Sequence, residues 1–186
     1  MPGRTPEEAV HAFLDPFRDA LGLFKGVAKL AVAPRSMRRG GSYRWSINAE
    51  QGVELGSIGT FHASMNFQIV DSVPSEHDEE HQGRFRCSSR GYNYKLQTPR
   101  GSDLWRMHWH PDGVSTEAGP HVHLPPDLKR HLPTSRMTLE HALGWLIEFD
   151  APLRVSMDEA KARLAELEAP HLLHRTWSDR PGEPRG

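Results

Sequence analysis

Cysteine is almost missing from this chain. Cys87 is the one thiol among 186 residues, so no intrachain disulfide can form, which suits a reducing compartment. Apolar runs of membrane-spanning length are missing too. The opening residues, Met1-Pro2-Gly3-Arg4-Thr5-Pro6-Glu7-Glu8, carry no apolar stretch of the signal-peptide kind. A cytoplasmic location is therefore expected, and a membrane partner is not. Internal repeats and low-complexity tracts are also absent, which argues against a solenoid or a tethering segment. Basic residues vanish locally: residues 46–83 hold seven acids and no Lys or Arg.

What is present describes an ordinary folded domain. Hydrophobic residues make up 37% of the chain and charged ones 25%, so a core can form beneath generous polar loops. The length holds one such domain and is too short for two ordinary ones. We read residues 1–176 as a single α+β domain and 177–186 as a flexible tail. The net charge of −1 is unevenly spread: residues 84–136 carry nine Lys or Arg against four acids, and 1–45 carry eight against four. A near-neutral total can thus hide a basic surface, although solvated faces account for such charges equally simply.

Helix signals come at both ends. Thr5-Pro6-Glu7-Glu8 offers an N-cap, a proline at the first helical position and a glutamate three residues after the cap. Ala9, Val10, Phe13, Leu14, Phe17 and Leu21 then recur at helical spacing, with Pro16 expected to kink or split the helix. Thr138 is placed to cap a helix to about residue 150, and Ser156 one to about residue 168. Between them the period changes to two. Residues 42–49, 59–71, 83–98 (broken near Gly91) and 103–110 read as strands with one buried face. The expected architecture is a central antiparallel sheet of about four to six strands, with one N-terminal and two C-terminal helices. The acidic stretch 75–81 reads as a solvated loop.

Histidine is the unusual component, with twelve residues that cluster. In Trp105-Arg106-Met107-His108-Trp109-His110, alternation puts Arg106, His108 and His110 on one side and the bulky residues on the other. About ten residues on stands a second His-x-His, His121-Val122-His123. If the chain folds back beside the strand, four imidazoles and a guanidinium converge. Histidine moves protons near neutral pH and arginine grips phosphate oxygens with a planar fork, so these parts suffice for RNA cleavage without metal or other cofactor. Arg44, His62, Tyr92, Tyr94 and His110 are candidates for an RNA-binding surface, the tyrosines by stacking bases. Tyrosines in a sheet are also commonly half-buried pairs. Two rival readings of the histidines stay open: ordinary surface positions, or a metal site with Asp112, Glu117 and Asp127 supplying oxygens. His141, His171 and His174 read as structural or superficial.

The order of parts from Tyr92 to Phe149 resembles the TumE-like toxin family of toxin–antitoxin systems. The parts are the aromatic strand Tyr92-Asn93-Tyr94, then Trp105-Arg106-Met107-His108-Trp109, then Pro120-His121-Val122-His123, then the helical segment 139–149. The family shows a denser histidine run where this chain has Val122, and it is shorter. The resemblance implies a toxin that acts on RNA and is neutralised by a cognate antitoxin protein. It singles out Arg106, His108, His121 and His123 as catalytic. The functional expectation is a metal-independent endoribonuclease, with room for a homodimer. A non-catalytic RNA- or protein-binding module and a metal-dependent hydrolase are the alternatives.

Overall fold

The structure, a computed structural model, describes residues 2–34, 36–72, 83–111 and 117–173. The expected acidic loop and the C-terminal tail lie outside these residues. The chain order is α1 (Pro6–Gly22), β1 (Leu30–Ala33), β2 (Ser42–Ile47), β3 (Val53–Glu54), β4 (Thr60–Asp71), β5 (Phe85–Gln97), β6 (Asp103–Trp109), β7 (His121–His123), β8 (Leu132–Pro133), α2 (Leu139–Glu148) and α3 (Met157–Leu173). This is the expected α+β arrangement of one helix, a large antiparallel sheet and two helices. Among the described residues, no helix is long and apolar enough to cross a membrane.

The sheet is larger than expected. Its order is β1-β2-β4-β5-β6-β7-β8, with β3 pairing β4 as an eighth strand. The strands that the sequence reading lacks are β1, β3, β7 and β8, each of two to four residues. So short a strand spans too few residues for a period of two to be recognised.

Thr5 caps α1 as its side-chain oxygen accepts from the Glu8 amide at 3.2 Å. The helix continues through Pro16 as one element. Phe13 and Phe17, on either side of the proline, are both buried on the sheet, and this packing holds the two halves in line. Thr138 caps α2 in the same way, 3.1 Å from the His141 amide. Ser156 caps α3 at 3.2 Å from the Glu159 amide. That helix runs past the expected end, through Pro170 to Leu173.

One sheet face carries the core. Tyr43, Trp45 and Ile47 from β2, alternate residues Phe61 to Ile69 of β4, and Trp105, Met107 and Trp109 of β6 are all buried beneath the helices. Leu143, Leu146 and Ile147 of α2 close over them, and Trp145 meets Trp105 edge-on at 5.8 Å. A bulge keeps β5 in phase with this face. The register runs from Asn66 opposite Gly91 to Phe67 opposite Ser89, so Arg90 is one extra residue on β5. Odd-numbered Cys87 and Ser89 and even-numbered Tyr92, Tyr94 and Leu96 therefore all point toward the helices. Gly91 takes φ 150° at this point, and a Cβ there would lie 2.8 Å from the Trp109 carbonyl oxygen. The opposite face is polar, and among the described residues the helices pack on the other side.

Candidate functional site

The polar face is organised in transverse rows set by strand register. Antiparallel pairing of β6 with β7 puts Arg106 opposite His123 and His108 opposite His121. The chain does fold back beside the strand, so Arg106, His108, His121 and His123 share one face. His110, just past β6, joins them, with ring centroids 5.9 Å from His108 and 5.3 Å from His121. His131, immediately before β8, adds a fifth imidazole that the sequence reading missed. Its ring lies 4.6 Å from His121 and 4.8 Å from His123. A strand of two residues after a Pro-rich stretch carries no alternation that could have placed it; the only sequence signal was a third histidine close by.

Burial and hydrogen bonds fix several of these rings. His121 and His123 are buried, whereas His131 is exposed. The Gly119 carbonyl lies 2.8 Å from His121 Nδ1, so Nδ1–H donates and Nε2 keeps its lone pair. His123 bonds to the Leu128 carbonyl, and its Nδ1 has no hydrogen-bond partner among the described residues. The same holds for His108 Nε2, His110 Nδ1 and His121 Nε2. Electrostatics disfavour protonation. Burial first, then the neighbouring His123, His121 and Arg106, push His108 down to about 3. Burial also lowers His121, opposed by the Gly119 hydrogen bond. It lowers His123 as well, with Arg106 as the next contributor.

Arg106 sits at the edge of the cluster. Its Nε lies 3.0 Å from an Asp103 oxygen, and its Nη2 donates to the Leu128 carbonyl at 3.1 Å. That carbonyl also bonds His123, so one loop positions both side chains. Across the sheet the row continues as His62, Lys95, Arg106 and His123. Lys95 therefore belongs to the basic surface, although the sequence reading did not select it.

The other expected residues divide. Arg44 lies on the polar face but on β2, three strand spacings or about 14 Å from β6. It is held by Glu50 at 2.8 Å and by the Ser64 hydroxyl at 2.8 Å. His62 is two spacings away, with Nδ1 3.2 Å from the Glu50 carbonyl. Tyr92 and Tyr94 are a correction. Tyr92 pairs with Trp109 and Tyr94 with Met107, which places both on the helix side of the sheet. They are 4% and 0% exposed, stacked on each other at 4.8 Å, and cannot stack bases. The Tyr92 hydroxyl accepts from the Met137 amide instead.

Of the suggested oxygen donors, Glu117 lies near His121 and accepts from the Gly119 amide at 3.0 Å. Asp127 pairs with Arg130, and Asp112 lies outside the described residues. His171 is structural, as read: it is fully buried and stacks on Phe17 at 4.3 Å. Cys87 is buried and its thiol is pushed up to about 12, so it is not a nucleophile. Comparison with protein-family models, with curated proteins and with solved structures finds no match.

Proposed function

We propose that the chain is a toxin-like endoribonuclease that cleaves RNA at the histidine–arginine cluster of β6 and β7. One observation carries this reading: strand register sets Arg106 opposite His123 and His108 opposite His121 on the polar face of the sheet. Arg106 is the phosphate-binding group, and the row through Lys95 and His62 guides the rest of the backbone. The resemblance to TumE-like toxins supports RNA as the substrate, a cognate antitoxin as the protein partner and the cytoplasm as the location. It leaves room for a homodimer.

Cleavage without metal needs one imidazole to take the 2′-hydroxyl proton and a protonated one to supply the leaving 5′-oxygen. His108, pushed down to about 3, does not carry that second proton at neutral pH. Burial lowers His121 and His123 as well, so the surroundings of these three rings work against the proton-donating half of this route. A metal-assisted hydrolase is the second reading, favoured by two groups of three histidines whose nitrogens converge. Such a site uses neutral imidazoles as they stand.

The test is induction of the wild type and of His121→Ala/His123→Ala in cells, with cleavage of defined RNA in parallel. Wild type should arrest growth and cut RNA, leaving 2′,3′-cyclic or 3′-phosphate ends, and the double variant should do neither. Arg106→Lys should lower kcat/KM by more than about tenfold, since an ammonium lacks the planar fork. Deoxyribose at the cleavage position should block the reaction while RNA-like binding persists. RNA left intact by the wild type, with or without added Zn²⁺, removes the endoribonuclease reading.

A further inference from the structure

Five imidazoles within one patch call for an explanation beyond proton transfer. Four of them, on His108, His110, His121 and His123, each keep a buried nitrogen with no hydrogen-bond partner among the described residues. Leaving a buried polar atom unsatisfied costs about 1–3 kcal/mol, and folded proteins seldom concentrate several in one place. Surface histidines chosen for solubility would instead turn these atoms to water. Here ring nitrogens of His108, His110 and His121 lie within 4.8 Å of one another, and so do those of His121, His123 and His131.

We propose that His121, His123 and His131 hold a single divalent transition-metal ion of the zinc class. The proposal rests on the cluster that the endoribonuclease reading uses, but not on RNA being its substrate. The ligand nitrogens of these three residues all lie within 4.8 Å of one another. Their ring centroids are 5.0, 4.6 and 4.8 Å apart. Imidazoles bound at zinc–nitrogen distances around a tetrahedral ion have centroids about 5 Å apart. The donor nitrogens would need to close to about 3.4 Å, the exposed His131 moving toward the two held rings.

The ligand orientation is already set. Hydrogen bonding of His121 Nδ1 to the Gly119 carbonyl presents Nε2. Bonding of His123 to the Leu128 carbonyl leaves its Nδ1. A ligating histidine that passes its other ring nitrogen to a backbone carbonyl is the arrangement that fixes tautomer and aim at metal centres. The exposed His131 gives an ion its way in. Glu117, near His121, adds negative charge to balance the cation, while Asp103 offsets the neighbouring Arg106.

The donor set also selects the ion. All three ligands are neutral nitrogen, which suits zinc, cobalt, nickel or copper; magnesium and calcium require oxygen. Three histidines leave a tetrahedral ion one open position. A second group, His108, His110 and His121, has nitrogens within the same 4.8 Å limit. It shares His121, and its rings are wider apart, at 5.9, 5.7 and 5.3 Å. Two of the three first-group rings are held by carbonyls, so that group is the better prepared.

The experiment is calorimetric titration of the full chain, stripped with chelator and free of any affinity tag, with Zn²⁺ and with Mg²⁺. We expect one Zn²⁺ bound per chain and no Mg²⁺ uptake. Loss of an outer partner commonly costs a metal site 10- to 100-fold, so His121→Ala and His131→Ala should each weaken Zn²⁺ by more than about 100-fold. His131 is exposed, so its variant tests the site even if His121→Ala fails to fold. His11→Ala, on α1, should bind as the wild type does. A chain that takes up no Zn²⁺, or a His131→Ala variant with unchanged affinity, overturns the proposal. RNA cleavage measured on the same samples separates the two readings. Zn²⁺ uptake with intact RNA sustains the metal site and removes the endoribonuclease; cleavage by a chain that takes up no Zn²⁺ does the reverse.

Discussion

A single buried carboxyl shows how local surroundings decide chemistry in this protein. Glu140 lies in the first turn of α2 with 2% exposure, its Oε1 3.5 Å from His171 Nε2. Burial, reinforced by the Glu168 charge, pushes its carboxyl from the ordinary 4.5 up to about 8. The Tyr94 hydroxyl is also raised, by burial first, then by Tyr92 and by Glu140. The folded chain keeps this proton through a range in which the unfolded chain has released it. Stability from this group is complete below about pH 4.5 and is lost as pH rises to about 8, at no more than about 1.4 kcal/mol per pH unit. Glu140→Gln cannot titrate. The variant should therefore gain on the wild type in urea midpoint between pH 5 and 8, and parallel curves for the two would refute the assignment. The sequence offered no hint of this pair, because Glu140 and His171 are brought together only by the packing of α2 on α3.

At the scale of elements, the register of one hairpin-like return makes the site. Alternation in β6 was legible from Arg106, His108 and the tryptophans between them, and it separates polar from core side chains by geometry alone. What alternation cannot supply is the neighbour. Nearness in sequence put Tyr92 and Tyr94 forward as base-stacking candidates beside the reading of a half-buried pair, and alternation does not say which face of β5 meets the core after a bulge. Gly91 holds that bulge at φ 150°, with the Trp109 carbonyl 2.8 Å from where a Cβ would stand. Gly91→Ala should cost about 1–3 kcal/mol, read as a lowered urea midpoint. It should also disturb the amide resonances of β6 around Trp109. A variant with wild-type stability would mean that β5 does not approach β6 in this way.

At the scale of the molecule, the two sheet faces do different work. One is sealed by three helices; the other bears the histidine cluster and the basic row. Trp109 belongs to the sealed face, 2% exposed with the Arg136 guanidinium 4.2 Å from its ring centre. Trp109→Ala should cost about 3–5 kcal/mol, or roughly 6–20 °C in Tm for a domain of this size. Unchanged thermal melts would place this side chain outside the core.

Sequence alone determined the class and the long elements. Helix caps at Thr5, Thr138 and Ser156, together with runs of period two in β2, β4 and β6, are local signals, and the chain carries them wherever it folds. It also determined that Arg106, His108 and His110 point to one side. Tertiary structure decided the rest: eight strands, the burial of Tyr92 and Tyr94, the arrival of His131, and the convergence of five imidazoles. These depend on contacts between segments far apart in sequence or on strands of two and three residues. Neither leaves a period behind, and only the pairing energy of the assembled sheet selects them.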